Sequence, residues 1–147
     1  MKRVVLKKAY GADDLDSVAK AIVDLLPEAP IWLLYGTLGA GKTTLVGSIL
    51  RQKGVRALVT SPTFSYVNSY KNEKGETFYH FDLYRIASQE GFFSAGFDEY
   101  LYRPKSWVFI EWPEQLISAL SGSVGHIFIE YCGDEKREIL VEISSSF

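Results

Sequence analysis

The chain has 147 residues, of which 47% are hydrophobic and 23% charged, a length and composition that fit one domain, 1–147, and exclude a disordered protein. The net charge of −2 argues against autonomous binding to nucleic acid, which needs a basic surface. The single cysteine excludes an internal disulfide and no apolar run is long enough to span a membrane, so we expect a cytoplasmic protein without membrane contact.

The first part of the chain alternates between strand and helix patterns. Hydrophobic periodicity predicts strands at 4–8 and 31–35 and helices at 13–26 and 42–53. A short strand is predicted at 57–59. Helices that interleave with buried strands in this way are typical of an α/β fold with a largely parallel sheet.

The second part of the chain has more strand than helix. A polar turn containing Gly75 predicts a hairpin of strands at 66–70 and 77–81. Beyond it, the pattern predicts two short helices within 88–102, a buried strand at 107–110, a helix at 114–120, and a final pair of strands at 125–131 and 138–143.

The segment between the predicted strand 31–35 and the helix 42–53 matches a phosphate-binding loop. It reads Gly36-Thr37-Leu38-Gly39-Ala40-Gly41-Lys42-Thr43, the pattern G-x-x-x-x-G-K-[ST] in the required strand–loop–helix context. Such a loop points backbone N–H groups at phosphate oxygens, while its lysine reaches the β- and γ-phosphates and its hydroxyl holds Mg²⁺. We therefore predict a three-layer P-loop NTPase fold of the α/β class, with a mostly parallel sheet and an antiparallel edge or hairpin.

An acid follows the predicted strand 107–110. Glu111 ends the apolar run Val108-Phe109-Ile110, which is the layout of a Walker B element. A strand there would deliver the carboxylate beside the P-loop, where it would bind Mg²⁺ directly or through water. The alternative is an acid that only caps the segment beginning at Pro113.

Two further segments carry candidate groups for hydrolysis. His80 and Asp82 alternate on a predicted strand and share one face, so Asp82 would order the attacking water or a magnesium-bound water. A lone histidine such as His80 is more often structural, and Arg85 would either stabilise phosphate charge or pair with a surface acid. Thr63, in a Ser-Pro-Thr-Phe loop, would sense the γ-phosphate as switch residues do, or belong to an ordinary turn.

Three function classes stay open on these residues. The absence of Asn-Lys-x-Asp and Asp-x-x-Gly motifs weighs against a GTPase. A Mg-ATPase fits the predicted carboxylates. A small-molecule kinase would need an arginine-rich lid, for which Arg85 and Arg103 are the central candidates. A binding module whose aromatic residues dock a partner in a nucleotide-dependent way is the third class.

Four segments together resemble the TsaE family, the small bacterial P-loop ATPases of tRNA threonylcarbamoyladenosine biosynthesis. They appear in the family's order and spacing and cover roughly residues 30–115. They are Gly36-Thr37-Leu38-Gly39-Ala40-Gly41-Lys42-Thr43-Thr44, Ser61-Pro62-Thr63-Phe64, His80-Phe81-Asp82-Leu83-Tyr84-Arg85 and Ile110-Glu111-Trp112-Pro113-Glu114.

The resemblance implies that the chain binds ATP with Mg²⁺ and hydrolyses it slowly. It also implies work with a TsaB–TsaD heterodimer, which attaches threonylcarbamoyl to an adenosine beside the anticodon of tRNA. Hydrolysis would reset that transferase between turnovers rather than perform the transfer, and tRNA would be reached only through the complex.

The resemblance also assigns roles to single residues. Thr43 and Glu111 resemble the family's magnesium ligands, Asp82 its catalytic acid and Thr63 its switch threonine. Lys42, which the P-loop pattern places at the β- and γ-phosphates, completes the predicted catalytic set. Trp112 resembles the tryptophan that follows the Walker B acid, and Arg137 a basic residue near the nucleotide. Where the family often has a threonine near the adenine, the register suggests Leu15.

Overall fold

A computed structural model describes residues 2–37, 39–62, 65–86, 88–133 and 135–146. Within these ranges the chain forms seven strands and three α-helices, linked in places by short 3₁₀ turns. The strands are β1 (Lys2–Tyr10), β2 (Ile31–Tyr35), β3 (Val67–Lys71), β4 (Thr77–Asp82), β5 (Ser106–Glu111), β6 (Gly122–Gly133) and β7 (Lys136–Ser146). The helices are α1 (Leu15–Leu25), α2 (Lys42–Gln52) and α3 (Gln89–Ser94).

All seven strands belong to one mixed sheet, in the order β1-β7-β6-β2-β5-β4-β3. The four middle strands run parallel, with β2 between β5 and β6 and with β4 beyond β5. Antiparallel pairs close both edges, β3 against β4 on one side and β1–β7–β6 on the other. The α/β class and the antiparallel hairpin are therefore confirmed, and the sheet is mixed, parallel in its middle and antiparallel at both edges.

Successive residues of β2 enter two different cores because strand side chains alternate between faces. Trp32 and Leu34 pack with the buried faces of α1 and α2. Ile31 and Leu33 pack on the other face, where the six-residue α3 and 3₁₀ turns are the helical segments among the described residues. This second helical layer is thin, and the three-layer arrangement stays a prediction. No helix in the described part of the chain is long and apolar enough to cross a membrane.

Two predicted elements are wrong. Residues 57–59 form no strand, because the edge of the sheet beside β4 is already taken by β3, and Leu58 is 84% exposed. Residues 114–120 form only a 3₁₀ turn at Ile117–Ala119, because their backbone bonds span three residues, as from the Ala119 N–H to the Leu116 carbonyl at 2.8 Å, rather than the four of an α-helix. The other predicted strands, the hairpin, α1, α2 and a helical 88–102 segment are present.

Gly125 of β6 lies against the ring of Trp32, its neighbour in β2. An added Cβ at Gly125 would lie 2.2 Å from Cε3 of Trp32, whose ring is fully buried and donates from Nε1 to the Ala29 carbonyl at 2.9 Å. The ring therefore has no room to retreat. We expect Gly125→Ala to lower the free energy of unfolding by about 3 kcal/mol, measured by urea denaturation.

Gly11 provides the matched control for this substitution. An added Cβ there meets nothing within 4 Å, so Gly11→Ala should change the free energy of unfolding by less than about 0.5 kcal/mol. Equal losses for the two variants would contradict the close packing between Gly125 and Trp32.

Candidate functional site

The predicted P-loop connects the end of β2 to the start of α2, at the carboxyl end of the parallel strands. Open α/β sheets bind ligands at this edge. Gly36 has no space for a side chain, because an added Cβ would lie 2.3 Å from the Ile129 carbonyl oxygen of β6. Gly41, with φ at +106°, adopts a left-handed conformation that favours glycine and turns the chain into α2. Leu38 lies outside the described residues.

Lys42 is almost completely buried at the start of α2, with 4% of its surface exposed. Its Nζ donates to the Gly36 carbonyl oxygen at 2.6 Å and lies 3.8 Å from the centre of the Trp112 ring. Burial lowers the pKa of Lys42, while nearby carboxylates, Glu111 first among them, oppose that shift. The loop thus holds its own ammonium group inward, facing the acids of the neighbouring strands.

Glu111 ends β5 directly beside β2 and is 4% exposed. Its Oε2 accepts from the Thr43 hydroxyl at 2.7 Å and lies 2.5 Å from Nε2 of His80. Burial alone would raise the pKa of Glu111, but the His80 and Thr43 hydrogen bonds and the charges of His80 and Lys42 outweigh it and hold that pKa below its usual range. A carboxylate held in its charged form therefore lies next to the P-loop hydroxyl.

Thr43 and Glu111 fit a magnesium ion by their chemistry. Both offer hard oxygen donors, and these two oxygens lie 2.7 Å apart. Mg²⁺ in nucleotide sites usually takes one or two protein oxygens and completes its shell with waters and phosphate oxygens. The pair is therefore suited to share such an ion with a bound nucleotide.

Asp82 ends β4 and pairs in register with Glu111 of β5. Its Oδ2 accepts from the Ser61 hydroxyl at 3.1 Å, and its Oδ1 accepts from the Tyr84 backbone N–H at 3.0 Å. These contacts fix the carboxylate and tie it to the start of the Ser-Pro-Thr-Phe loop. Thr63, the predicted switch residue in that loop, lies outside the described residues.

His80 occupies the strand position two residues before Asp82, on the same face of β4. It is fully buried, and its Nδ1 has no hydrogen-bond partner among the described residues. Its Nε2 is committed to Glu111. The structure therefore gives His80 a specific contact with Glu111, the predicted magnesium ligand. The sequence alone predicts only a structural role for this histidine.

Arg137 of β7 reaches the P-loop from the side. Its Nε donates to the Ala40 carbonyl oxygen at 2.6 Å, and its guanidinium lies over the Tyr131 ring and donates to the Tyr131 hydroxyl at 2.9 Å. Beside it is a cavity of about 70 Å³ next to the start of α2. The lining residues are Tyr10, Ala12, Leu15, Gly41, Thr44 and Arg137.

A larger groove, of about 530 Å³, lies over β1, β6 and β7. Its lining includes Phe128, Leu140 and Glu130 but none of Lys42, Thr43 or Glu111. Volume alone would favour this groove, whereas the convergence of an ammonium, a hydroxyl and two carboxylates favours the P-loop edge. We place the candidate site at the P-loop on its chemistry.

Glu130, which the sequence analysis did not identify, lies in β6 two residues after Phe128, the last residue of β6 that pairs with β2. Its Oε1 accepts from the Thr37 backbone N–H at 2.8 Å, and its Oε2 accepts from the Thr37 hydroxyl at 3.2 Å. A usable pattern was present, because the run 127–130 is three apolar residues and a glutamate, the same layout as 108–111. The two acids therefore flank the P-loop from the two strands on either side of β2.

Arg103, a candidate for a kinase-type lid, lies far from this edge of the sheet. Its guanidinium donates to the Tyr79 hydroxyl at 3.0 Å and to the Glu99 carbonyl oxygen at 2.7 Å. It precedes β5, whose opposite end carries Glu111. This position removes one of the two arginines on which the kinase hypothesis depends.

Comparisons with known proteins agree on one family. A family model described as "Threonylcarbamoyl adenosine biosynthesis protein TsaE" matches residues 10–139. The "tRNA threonylcarbamoyladenosine biosynthesis protein TsaE" of Treponema pallidum (strain Nichols) is 38% identical over 131 residues, which cover 89% of this chain and 95% of that protein. The protein of the same name from Bacillus subtilis (strain 168) is 30% identical over 132 residues, which cover 90% and 81%.

The fold has a relative among solved structures. The crystal structure of Bacillus subtilis YdiB superposes with a TM-score of 0.70 at 27% sequence identity. The superposition covers 97% of this chain and 86% of that one. The similarity therefore extends over nearly the whole α/β unit.

Proposed function

Because this chain belongs to the TsaE family of threonylcarbamoyl adenosine biosynthesis proteins, we propose that it is a Mg-ATPase whose hydrolysis resets a TsaB–TsaD transferase between turnovers. The observation that carries the proposal is the hydrogen bond between Glu111 and Thr43 at the mouth of a P-loop whose Lys42 is buried and turned inward. A P-loop used only as a turn would not need a buried carboxylate at this point.

The loop and the start of α2 would bind the phosphates. Backbone N–H groups at a helix N-terminus favour negative charge, and Lys42 adds a full positive charge beside them. Arg137 steadies the loop through the Ala40 carbonyl, and the cavity that it lines with Tyr10 and Leu15 is the natural place for the base. The nucleotide would then run from that cavity towards Glu111.

Thr43 and Glu111 would hold the Mg²⁺, with His80 fixing the orientation of the Glu111 carboxylate. When bound, Mg²⁺ neutralises charge on the β- and γ-phosphate oxygens. The role of His80 is to keep the Glu111 carboxylate charged and aimed at the loop, since the buried carboxylate would otherwise lose its proton less readily.

Asp82 would orient the attacking water. Its carboxylate is fixed by Ser61 and by the Tyr84 N–H, and it lies beside Glu111 in the sheet. A carboxylate in this position accepts a hydrogen bond from water and aligns it for attack on the γ-phosphate. The Ser61 contact would also couple Asp82 to the loop that carries Thr63.

We expect Asp82→Asn to lower ATP turnover about a hundredfold while changing ATP affinity less than about threefold. Asparagine keeps an acceptor for the Tyr84 N–H but loses the charge that polarises water. Phosphate release and equilibrium nucleotide binding measure the two effects separately. Asp98→Asn, at an exposed position, serves as control and should turn over ATP like the parent protein. Unchanged turnover in Asp82→Asn would remove Asp82 from the mechanism.

The resetting role is tested by reconstitution with TsaB, TsaD, tRNA and the threonylcarbamoyl donor. We expect many modified tRNAs per complex with the wild-type chain, and about one per complex with Asp82→Asn or with a non-hydrolysable ATP analogue. Repeated turnover with Asp82→Asn would favour a binding module whose hydrolysis is incidental. Transfer of the γ-phosphate to a nucleoside or sugar would instead favour the small-molecule kinase.

A further inference from the structure

One peptide group of the P-loop is hydrogen-bonded on both sides by charged side chains. The peptide joining Gly36 to Thr37 accepts at its carbonyl oxygen from Lys42 Nζ at 2.6 Å. Its N–H donates to Glu130 Oε1 at 2.8 Å. Because the peptide is planar and rigid, the direction of its N–H fixes the direction of its carbonyl.

The contact with Glu130 also strengthens the contact with Lys42. A charged acceptor on the N–H polarises the peptide and makes its carbonyl oxygen a better acceptor for the ammonium. The second bond, from the Thr37 hydroxyl to Glu130 Oε2 at 3.2 Å, holds both carboxylate oxygens in place. Glu130 therefore acts on Lys42 through one rigid group, without touching it.

Glu130 belongs to a strand that is paired with a neighbour on each side. β6 pairs with β2 on one side and with β7 on the other, and Glu130 lies opposite Glu138 of β7. Gly36 is packed so closely on β6 that an added Cβ would lie 2.3 Å from the Ile129 carbonyl. The Glu130 carboxylate thus fixes the position of the first bend of the P-loop relative to the central strands.

We infer that Glu130 is a positioning residue, which sets the place of the Lys42 ammonium through the Gly36–Thr37 peptide. The inference rests on the proposed nucleotide site, since an ammonium in this place is useful only if phosphate binds there. It assigns β6 a part in nucleotide binding equivalent in position to that of β5, on the opposite side of β2.

Binding of a fluorescent ATP analogue with Mg²⁺ tests the inference in the full chain. We expect Glu130→Ala to weaken binding about tenfold, since the loop loses a charged hydrogen bond. Glu130→Gln should stay within about threefold of the wild type, because its amide oxygen accepts from the same N–H. Glu138→Ala removes an exposed charge from the facing position and should bind like the wild type.

A double-mutant cycle with Lys42→Met then asks whether Glu130 acts through Lys42. Glu130→Ala should cause no further loss of binding in the Lys42→Met protein. The inference is overturned if Glu130→Ala binds within twofold of the wild type, if Glu130→Gln is as damaging as Glu130→Ala, or if the two losses add in the double variant. Failure of the wild-type chain to bind the analogue would instead overturn the proposed function.

Discussion

Replacing Lys42 with methionine is expected to lower ATP turnover at least about a hundredfold. Methionine keeps an unbranched side chain that packs against Trp112. It removes the positive charge that the first residue of α2 places inside the loop. Without the ammonium, the β- and γ-phosphates lose the attraction of a buried cation. That attraction strengthens as negative charge develops on the phosphate oxygens in the transition state. Phosphate release at saturating Mg-ATP measures the loss.

Lys53 offers a matched control at the other end of α2. It is also partly buried, and its Nζ lies 5.6 Å from the centre of the Trp107 ring and 3.4 Å from Glu76. Lys53→Met should turn over ATP within about twofold of the wild type, since the lysine is remote from the P-loop. A similar loss in both variants would mean that a lysine over a tryptophan matters for the fold rather than for phosphate.

The second large effect is expected from Glu111→Gln. We expect turnover to fall about a hundredfold and the Mg²⁺ concentration for half-maximal rate to rise about tenfold. The neutral amide offers a weaker oxygen ligand than a carboxylate, although it can still contact Thr43 and His80. Turnover measured across a range of Mg²⁺ concentrations separates loss of metal binding from loss of chemistry.

Glu114 is the control for Glu111, because it is exposed and lies three residues further along the chain. Its charge also acts on Lys42, so Glu114→Gln tests whether nearby negative charge by itself explains the effect. We expect its Mg²⁺ dependence to match that of the wild type. If Glu111→Gln turns over ATP like the wild type at every Mg²⁺ concentration tested, Glu111 is not a metal ligand.

Much of the site could be predicted because its parts follow local patterns. The apolar run before Gly36 and the helical spacing after Gly41 predicted β2 and α2 with their starts at the observed residues. Asp82 and Glu111 each close an apolar strand, and the carboxyl ends of parallel strands meet at one edge. The proximity of these acids to the P-loop therefore follows from strand polarity.

Other features depend on contacts between distant parts of the chain. The pattern at 57–59 suits a strand, but β3 already occupies the edge where it would pair. Arg103 lies only eight residues before Glu111 in the sequence, yet its contacts with Tyr79 and Glu99 hold it at the opposite end of β5. Local strand propensity does not predict which segment will pair with a given edge of the sheet.

The sequence by itself determined the glycine-rich loop between β2 and α2, the two acids at the ends of β4 and β5, and the family. It did so because each is written in a short run of residues whose spacing has a direct structural meaning. Only the tertiary structure decided that β5 and β6 both flank β2, and hence that Glu130 accepts a hydrogen bond from the Thr37 N–H. The runs 108–111 and 127–130 look alike in sequence, and strand order, which long-range packing sets, gives their two glutamates different contacts.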